Sequence, residues 1–365
     1  MFNVSLILFL LLSPILFIRL SVPSVASLQF YQFGNYSHSI NLVQLQIFMY
    51  GVIALFIVSL FSNAKRSFND TAANLFLLIA FINVYFHPKT IKFFPIIFLG
   101  FILYRLVSTC TDVKNLRSFF KVIAVVSLLN TAFAIFQFFG IHFIYQDKGE
   151  IIGLMSYKTQ FGIYQALALP ICFYLNPWLV IIPAIGLLLS NSGTALIAGV
   201  IGMIYLLWKN GFRIYSSYIW VMIITSSAIF LYKHFHQLTI RFPAWIYAIK
   251  NSLSNIVVGN GVGTFKYVIE RPKMYPLEYP DPYSIYLEVF YSFGILGIVA
   301  FLFFIKDKFS GIEKNSIVTA LSSSCLVLAV VGFGYSFMDY PRLAGTAIIL
   351  FGLLTAVKGE KFLCS

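Results

Sequence analysis

The chain has 365 residues, 60% of them hydrophobic and only 10% charged, with 40 Phe, 22 Tyr and a formal net charge of +13. So apolar a composition excludes an ordinary soluble domain, and with no alternating strand pattern the spanning elements must be helices. The Lys and Arg are scattered over connectors rather than gathered into a basic stripe with interleaved aromatics, which argues against nucleic acid as a partner.

Apolar runs of spanning length lie near residues 4–22, 42–62, 71–87, 93–110, 119–140, 159–175, 177–190, 193–209, 214–232, 283–305, 316–338 and 342–358. This predicts an all-α polytopic membrane protein, a single domain over 1–365 with about twelve transmembrane helices. The seventh and eighth runs are split only by Asn191-Ser192-Gly193, which suits a hairpin or a broken, partly re-entrant pair. Ser24 to Ala26 is similar to a signal-peptidase site, but Met1 to Ser5 lacks positive charge, and the first run is expected to remain as a span. Cys110, Cys172, Cys325 and Cys364 stand in or beside separate runs without a CxxC pair, so they read as small apolar fillers rather than disulfide or zinc ligands.

With the N-terminus inside, the cytoplasmic connectors carry Lys65 and Arg66, then Lys114, Arg117 and Lys121, then Lys209 and Arg213, then Lys306, Lys308 and Lys314, and last Lys358 and Lys361. Short basic loops on the cytoplasmic side follow the positive-inside rule, so both termini are expected in the cytoplasm. Arg19, Lys89 and Lys92 run against the pattern. The segment 233–284 then lies outside, with a smaller loop near 141–158 and the Asp339-Tyr340-Pro341-Arg342 turn.

That outward segment is the longest polar break in the chain. Arg241-Phe-Pro-Ala-Trp245 starts a predicted interfacial helix running to about Leu253, with Pro243 suited to a first turn and Trp245, Ile246, Ile249 and Leu253 as an apolar stripe. Trp245 lies one turn from Arg241, where an indole packs against a guanidinium, or where the pair anchors the helix at the interface. Gly259-Asn-Gly261-Val-Gly263 is similar to a nucleotide-binding glycine loop, but no strand precedes it and the spacing is not GxGxxG. It offers either amide N–H groups to an anion or a tight turn between packed helices. Lys266, Arg271 and Lys273 keep the segment basic, while Glu270, Glu278 and Asp281 supply carboxylates. Arginine forks match phosphate oxygens and a carboxylate takes a proton from a hydroxyl, although the same residues suit a solvated mixed-charge loop.

His234 and His236 share one side of an extended strand, but no further ligand stands at a recognisable spacing, so no metal is predicted. Glu288 falls inside the tenth run, where a carboxylate is costly, and is a functional candidate or a helix–helix bond. Arg105, near a cytoplasmic helix end, is expected to snorkel.

Five elements in order carry a family resemblance: Gly153 to Pro170, Leu187 to Gly202, Arg241 with Trp245, Val258 to Phe265, and Tyr283 to Gly297. Their succession, over roughly the C-terminal 60% of the chain, resembles the O-antigen polymerase (Wzy-type) and O-antigen ligase superfamily of bacterial surface-polysaccharide enzymes. The resemblance implies a metal-independent, cofactor-free membrane glycosyltransferase of the bacterial inner membrane. Such an enzyme takes a glycan from undecaprenyl pyrophosphate on the periplasmic face, under a periplasmic loop that here is 233–284. Polymerases pass the glycan to another lipid-linked repeat unit, and ligases pass it to lipid A-core. The implied partners are undecaprenyl-pyrophosphate-linked oligosaccharide repeat units, the lipid bilayer and a chain-length regulator protein.

In that light Arg241 resembles the family's outward-loop arginine, which holds the donor pyrophosphate and steadies charge on the leaving group. Lys158, Trp245, Gly259, Gly261, Gly263, Lys266, Arg271 and Lys273 are expected around the substrate. Ligases of the family carry a His-Asn pair at the start of the long helix after the loop, and counting back from Gly294 puts Tyr283 and Ser284 there. This departure favours a polymerase and leaves Asp281, Glu278 and Glu288 as candidate proton acceptors. A flippase or other transporter is the competing class, but residues 1–180 and 181–365 lack the related halves that such folds show.

Overall fold

The computed structural model describes residues 5–6, 70–88, 90, 94–111, 113–141, 150–155, 157–211, 241–265, 282–312, 315–336 and 341–364. The runs predicted near 42–62 and 214–232, and all but two residues of that near 4–22, lie outside them. Among the described residues the regular structure is helical throughout, with no strand. The helices are α1 (Thr71–Phe86), α2 (Phe94–Cys110), α3 (Leu116–Phe138), α4 (Lys158–Leu175), α5 (Ile181–Ser190) and α6 (Gly193–Lys209), then α7 (241–252), α8 (Ile285–Phe309), α9 (Ser316–Gly334) and α10 (Pro341–Cys364). Three of them, α3, α8 and α9, are long and apolar enough to cross a bilayer. Leu78 and Phe81 on α1, Leu128 on α3, Leu188 on α5, and Val299 and Leu302 on α8 stand exposed, as lipid-facing side chains do. The chain is a membrane-embedded α-helical protein.

Lipid gives helices no hydrophobic reason to associate, so the tightest packing falls where side chains are small and hydroxyls can bond across helices. The α4–α6–α9 triplet has this composition. Ala166 and Ala168 of α4, Ala195 and Ala198 of α6, and Ala320 of α9 are fully enclosed. Ser323 Oγ donates to the Gly202 carbonyl at 2.5 Å, and Ser324 Oγ to that of Leu167 at 2.8 Å.

Two predicted spans take a different form. The run 177–190 opens as a 3-10 turn, Pro177–Val180, with the Asn176 side chain accepting from the Trp178 amide at 3.0 Å, and only 10 residues of α5 follow. Pro177 sets the turn, and Asn191, at φ 48° in the left-handed region, ends α5 and reverses the chain into α6. The run 283–305 is not one continuous helix, because α8 breaks at Gly294, where φ is 66° and ψ −159°.

A broken helix in lipid leaves backbone groups that must be satisfied inside the protein. The loop after α7 supplies the partners. The Asn260 and Gly261 amides donate to the Tyr291 and Ser292 carbonyls at 2.8 and 3.0 Å, and the Ile295 amide donates to the Ile256 carbonyl at 2.7 Å. From α1, Asn83 Nδ2 donates to both Val258 and Ser292 carbonyls at 2.8 Å, and His87 Nε2 lies 2.8 Å from the Gly259 carbonyl oxygen.

The two ends of the bundle differ in chemistry. At one end Lys308, 2% exposed, pairs with Asp70 and, at 2.8 Å, with Asp307. There the Tyr104 hydroxyl donates to Asp70 and lies 2.7 Å from Thr355 Oγ1, while Asp70 caps α1 by accepting from the Ala73 amide at 3.0 Å. The other end gathers the starts of α4, α6 and α8, the last turn of α9, and α7.

Candidate functional site

Arg241 is the first described residue of α7, and the helix runs to residue 252, close to the predicted end near Leu253. Ala248 on its inner face packs with Phe265 and Tyr291, so α7 is pinned against α8. The half-buried Arg241 reaches the turn between α5 and α6, where its Nη1 donates to Thr194 Oγ1 at 3.2 Å. Its guanidinium stands over the Tyr283 ring, 5.5 Å from the centroid. On a third side is Gly334 of α9, where an added Cβ would come 3.0 Å from Thr194 Cγ2 and 3.2 Å from Arg241 Nη1, so glycine here lets α9 approach both side chains closely.

Each brace has a local cause. The Ser190–Thr194 turn is held by Ser190 Oγ donating to the Leu187 carbonyl at 2.6 Å, and it lies so close to α4 that a Cβ on Gly162 would fall 2.6 Å from Ser190 Oγ. Tyr283 sits at φ 50°, a left-handed conformation that costs a non-glycine residue roughly 1–2 kcal/mol, so its position is enforced by the surrounding fold. Ser284 follows, its Oγ donating to the Gly332 carbonyl at 3.2 Å and tying the start of α8 to the end of α9. One turn into α8, Glu288 accepts a hydrogen bond from the Ser336 hydroxyl. Arg241 at Gly334 and Glu288 at Ser336 thus converge on the same few residues at the end of α9.

The helices that begin here add to the field. The N-caps of α4, α6 and α8, which are Tyr157, Ser192 and Ser284, make no side-chain capping bond to their helices. Helix N-termini carry partial positive charge and outward amides, so their grouping beside a guanidinium suits an anion.

The sequence-derived candidates fall into three groups. Arg241 and Glu288 come together as described, and Lys158, the first residue of α4, lies at the same end but pairs with Glu150 at 2.7 Å. Trp245 is one turn from Arg241 as expected, but the ring under the guanidinium is that of Tyr283, and Trp245 instead stands edge-on to Phe242 with centroids 5.3 Å apart. Gly259, Gly261 and Gly263 all have positive φ, at 80°, 94° and 72°. The glycine loop takes the form of a turn between packed helices, with Gly259 against the α8 backbone and Gly261 against Thr90 and His87 of the α1 end. The amides of Asn260 and Gly261 are thereby committed to α8 carbonyls. Lys266, Arg271, Lys273, Glu278 and Asp281 lie outside the described residues, as do His234 and His236.

Sequence reasoning did not single out Thr194, Ser336 or Gln160, all of which the fold brings to this end. Single serines, threonines and glutamines in apolar runs carry no spacing signal, and only tertiary packing reveals which of them meet. Compared with protein-family models and with curated proteins, the chain matches none.

Proposed function

We propose that this protein is a bacterial inner-membrane glycosyltransferase, an O-antigen-type polymerase joining undecaprenyl-pyrophosphate-linked repeat units on the periplasmic face. In this reading both termini are cytoplasmic, about twelve helices span the membrane, and 233–284 is the periplasmic loop that covers the site. The observation that carries it is Arg241, braced by Thr194 and Tyr283 at the end of the bundle where α4, α6 and α8 begin. A guanidinium presents five N–H donors in a planar fork suited to phosphate oxygens, and a braced one loses little entropy on binding. The ordered motifs that resemble the superfamily support the same chemistry. The absence of a His-Asn pair at Tyr283 and Ser284 favours the polymerase over the ligase.

The acceptor hydroxyl oxygen attacks the anomeric carbon of the donor glycan. The bond from that carbon to the pyrophosphate oxygen breaks, its electron pair leaves with undecaprenyl pyrophosphate, and the hydroxyl proton passes to a carboxylate. Arg241 faces the charge that grows on the leaving oxygen, a contribution on the order of 3 kcal/mol in comparable sites. Glu288 is the described carboxylate of the three candidates for the proton, with Glu278 and Asp281 belonging to the loop.

The test is deletion of the gene followed by staining of the lipopolysaccharide. Core carrying a single repeat unit is the polymerase outcome, and core without any repeat is the ligase outcome. An unchanged ladder removes both. Arg241→Ala in the complementing copy is expected to abolish chain growth with normal membrane insertion, and retained polymer length would take Arg241 out of the donor role.

A further inference from the structure

Buried polar side chains in a folded protein have partners, and each exception asks for an explanation. Gln137, Gln160 and Gln165 are all nearly fully buried. Gln137 serves the Gly153 carbonyl and the Ile152 and Gly153 amides, all within 2.9 Å, and Gln165 bonds Ser127 at 2.5 Å. Gln160, 1% exposed, has its Nε2 enclosed with no partner among the described residues. The indole Nε1 of Trp245 is in the same condition.

Both groups belong to the end of the bundle that holds Arg241. The α4 and α9 helices pack with Ser324 against the Leu167 carbonyl, and they run antiparallel, since α4 is parallel to α6 and α6 pairs Gly202 with Ser323 and Thr194 with Gly334. Gln160 precedes Leu167 by two helical turns, about 10 Å, and so shares its face. That face runs toward the last turn of α9, where Gly334 meets Arg241. Trp245 stands on α7 one turn beyond Arg241, the residue that meets Gly334.

We propose that Gln160 and Trp245 form a glycan-reading subsite beside Arg241, bonding hydroxyl or N-acyl groups of the sugar attached to the lipid pyrophosphate. This rests on the polymerase reading above and assigns the sugar, as distinct from the pyrophosphate, to these two residues. Both are neutral, and neither adds charge for a phosphate. Sugar hydroxyl and N-acyl oxygens accept from an amide N–H and from an indole N–H, and a hydroxyl can also donate to the amide oxygen beside it. The broad indole face also offers apolar surface to a sugar ring. Donors held dry without a partner discriminate strongly, because a ligand lacking the matching group leaves them unpaired in the complex.

The test compares two probes on full-length protein in nanodiscs: the undecaprenyl-pyrophosphate-linked repeat unit extracted from the deletion strain, and undecaprenyl pyrophosphate without sugar. Wild-type protein is expected to bind the sugar-bearing lipid roughly tenfold more tightly than the bare one. Gln160→Leu and Trp245→Phe are expected to lose that difference while keeping the affinity for the bare lipid, with melting temperatures at or above wild type, because each removes an unpaired donor. Arg241→Ala is expected to weaken both probes. Equal wild-type affinity for the two lipids, or variants that discriminate as wild type does, would overturn the glycan subsite and leave the pyrophosphate reading standing. Variants that lose affinity for both lipids alike would overturn it as well, by assigning the donors to the pyrophosphate. A wild-type protein that binds neither lipid would sink the polymerase reading itself.

Discussion

Arg241 and Thr194 are joined at 3.2 Å across 47 residues of sequence, tying α7 to the turn that starts α6. Thr194 acts through Arg241 and is therefore a positioning residue. Thr194→Val keeps the shape and removes the acceptor, so kcat/KM for lipid-linked repeats in proteoliposomes is expected to fall about tenfold, against a hundredfold or more for Arg241→Ala. Thr194→Ser should restore most of the loss. A Thr194→Val enzyme with wild-type kcat/KM would show that the hydroxyl does not hold the guanidinium in place.

Glu288 accepts from Ser336, two residues beyond the Gly334 that meets Arg241. Glu288→Gln keeps the volume and removes the proton acceptor, so chain growth is expected to stop while lipid-linked repeats still bind. Full turnover by this variant would move the proton to Glu278 or Asp281 in the loop.

The splice at Gly294 makes two positions unusually sensitive. A Cβ on Gly259 would lie 2.5 Å from the backbone nitrogens of Phe293 and Gly294, and its φ of 80° disfavours any side chain, so Gly259→Ala is expected to abolish stable protein. Asn83→Leu leaves the Val258 carbonyl without its side-chain donor, at about 1–3 kcal/mol, while the Ser292 carbonyl keeps the Gly261 amide. Thermal unfolding in detergent measures both, and an unchanged melting temperature for Asn83→Leu would show the splice to be incidental.

At the opposite end, Lys308→Met leaves the Asp70 carboxylate enclosed without its cation and is expected to cost about 3–5 kcal/mol, most of it recovered in the Lys308→Met, Asp70→Asn double variant. Burial by itself raises the Asp70 carboxyl, but the hydrogen bond and charge of Lys308, with the Tyr104 hydroxyl and the Ala73 amide, outweigh it and hold the group below its ordinary value of 3.8. A depressed carboxyl stabilises the fold above its unfolded value, so this contribution is complete at neutral pH and is lost as the pH falls below about 4. Melting temperature against pH for wild type and Asp70→Asn checks the sign, since the variant's curve should lack that acid-side loss.

Much of the helical layout was legible because apolar runs have a length dictated by the bilayer and need no partner to be recognised. The predicted runs 71–87, 93–110, 119–140, 159–175, 193–209, 316–338 and 342–358 correspond to α1, α2, α3, α4, α6, α9 and α10 within a few residues, apart from a longer C-terminal end to α10. Hydropathy located 177–190 and 283–305, the latter as α8, which is long and apolar enough to span, but it averages over the Pro177 turn and the Gly294 break, both of which change backbone geometry without changing polarity. Within the site, Arg241 and Glu288 stood out because charge in an apolar chain needs a reason. Thr194 and Gln160 did not, because a small polar residue in a helix is ordinary until its partners are known.

Composition and apolar run length establish that this chain lives in a membrane as helices, and charge in an apolar chain draws attention to Arg241, on a helix that ends near Leu253. Local propensity and transfer from water to lipid decide such things residue by residue. Tertiary structure alone decided what surrounds that arginine: Thr194 and Tyr283 brace it, Gly334 lets α9 approach it, and the glycine loop mends a broken helix. Those relations join residues far apart in the chain, and no local pattern encodes which backbone groups a kink will expose or which hydroxyl will stand within reach of a guanidinium.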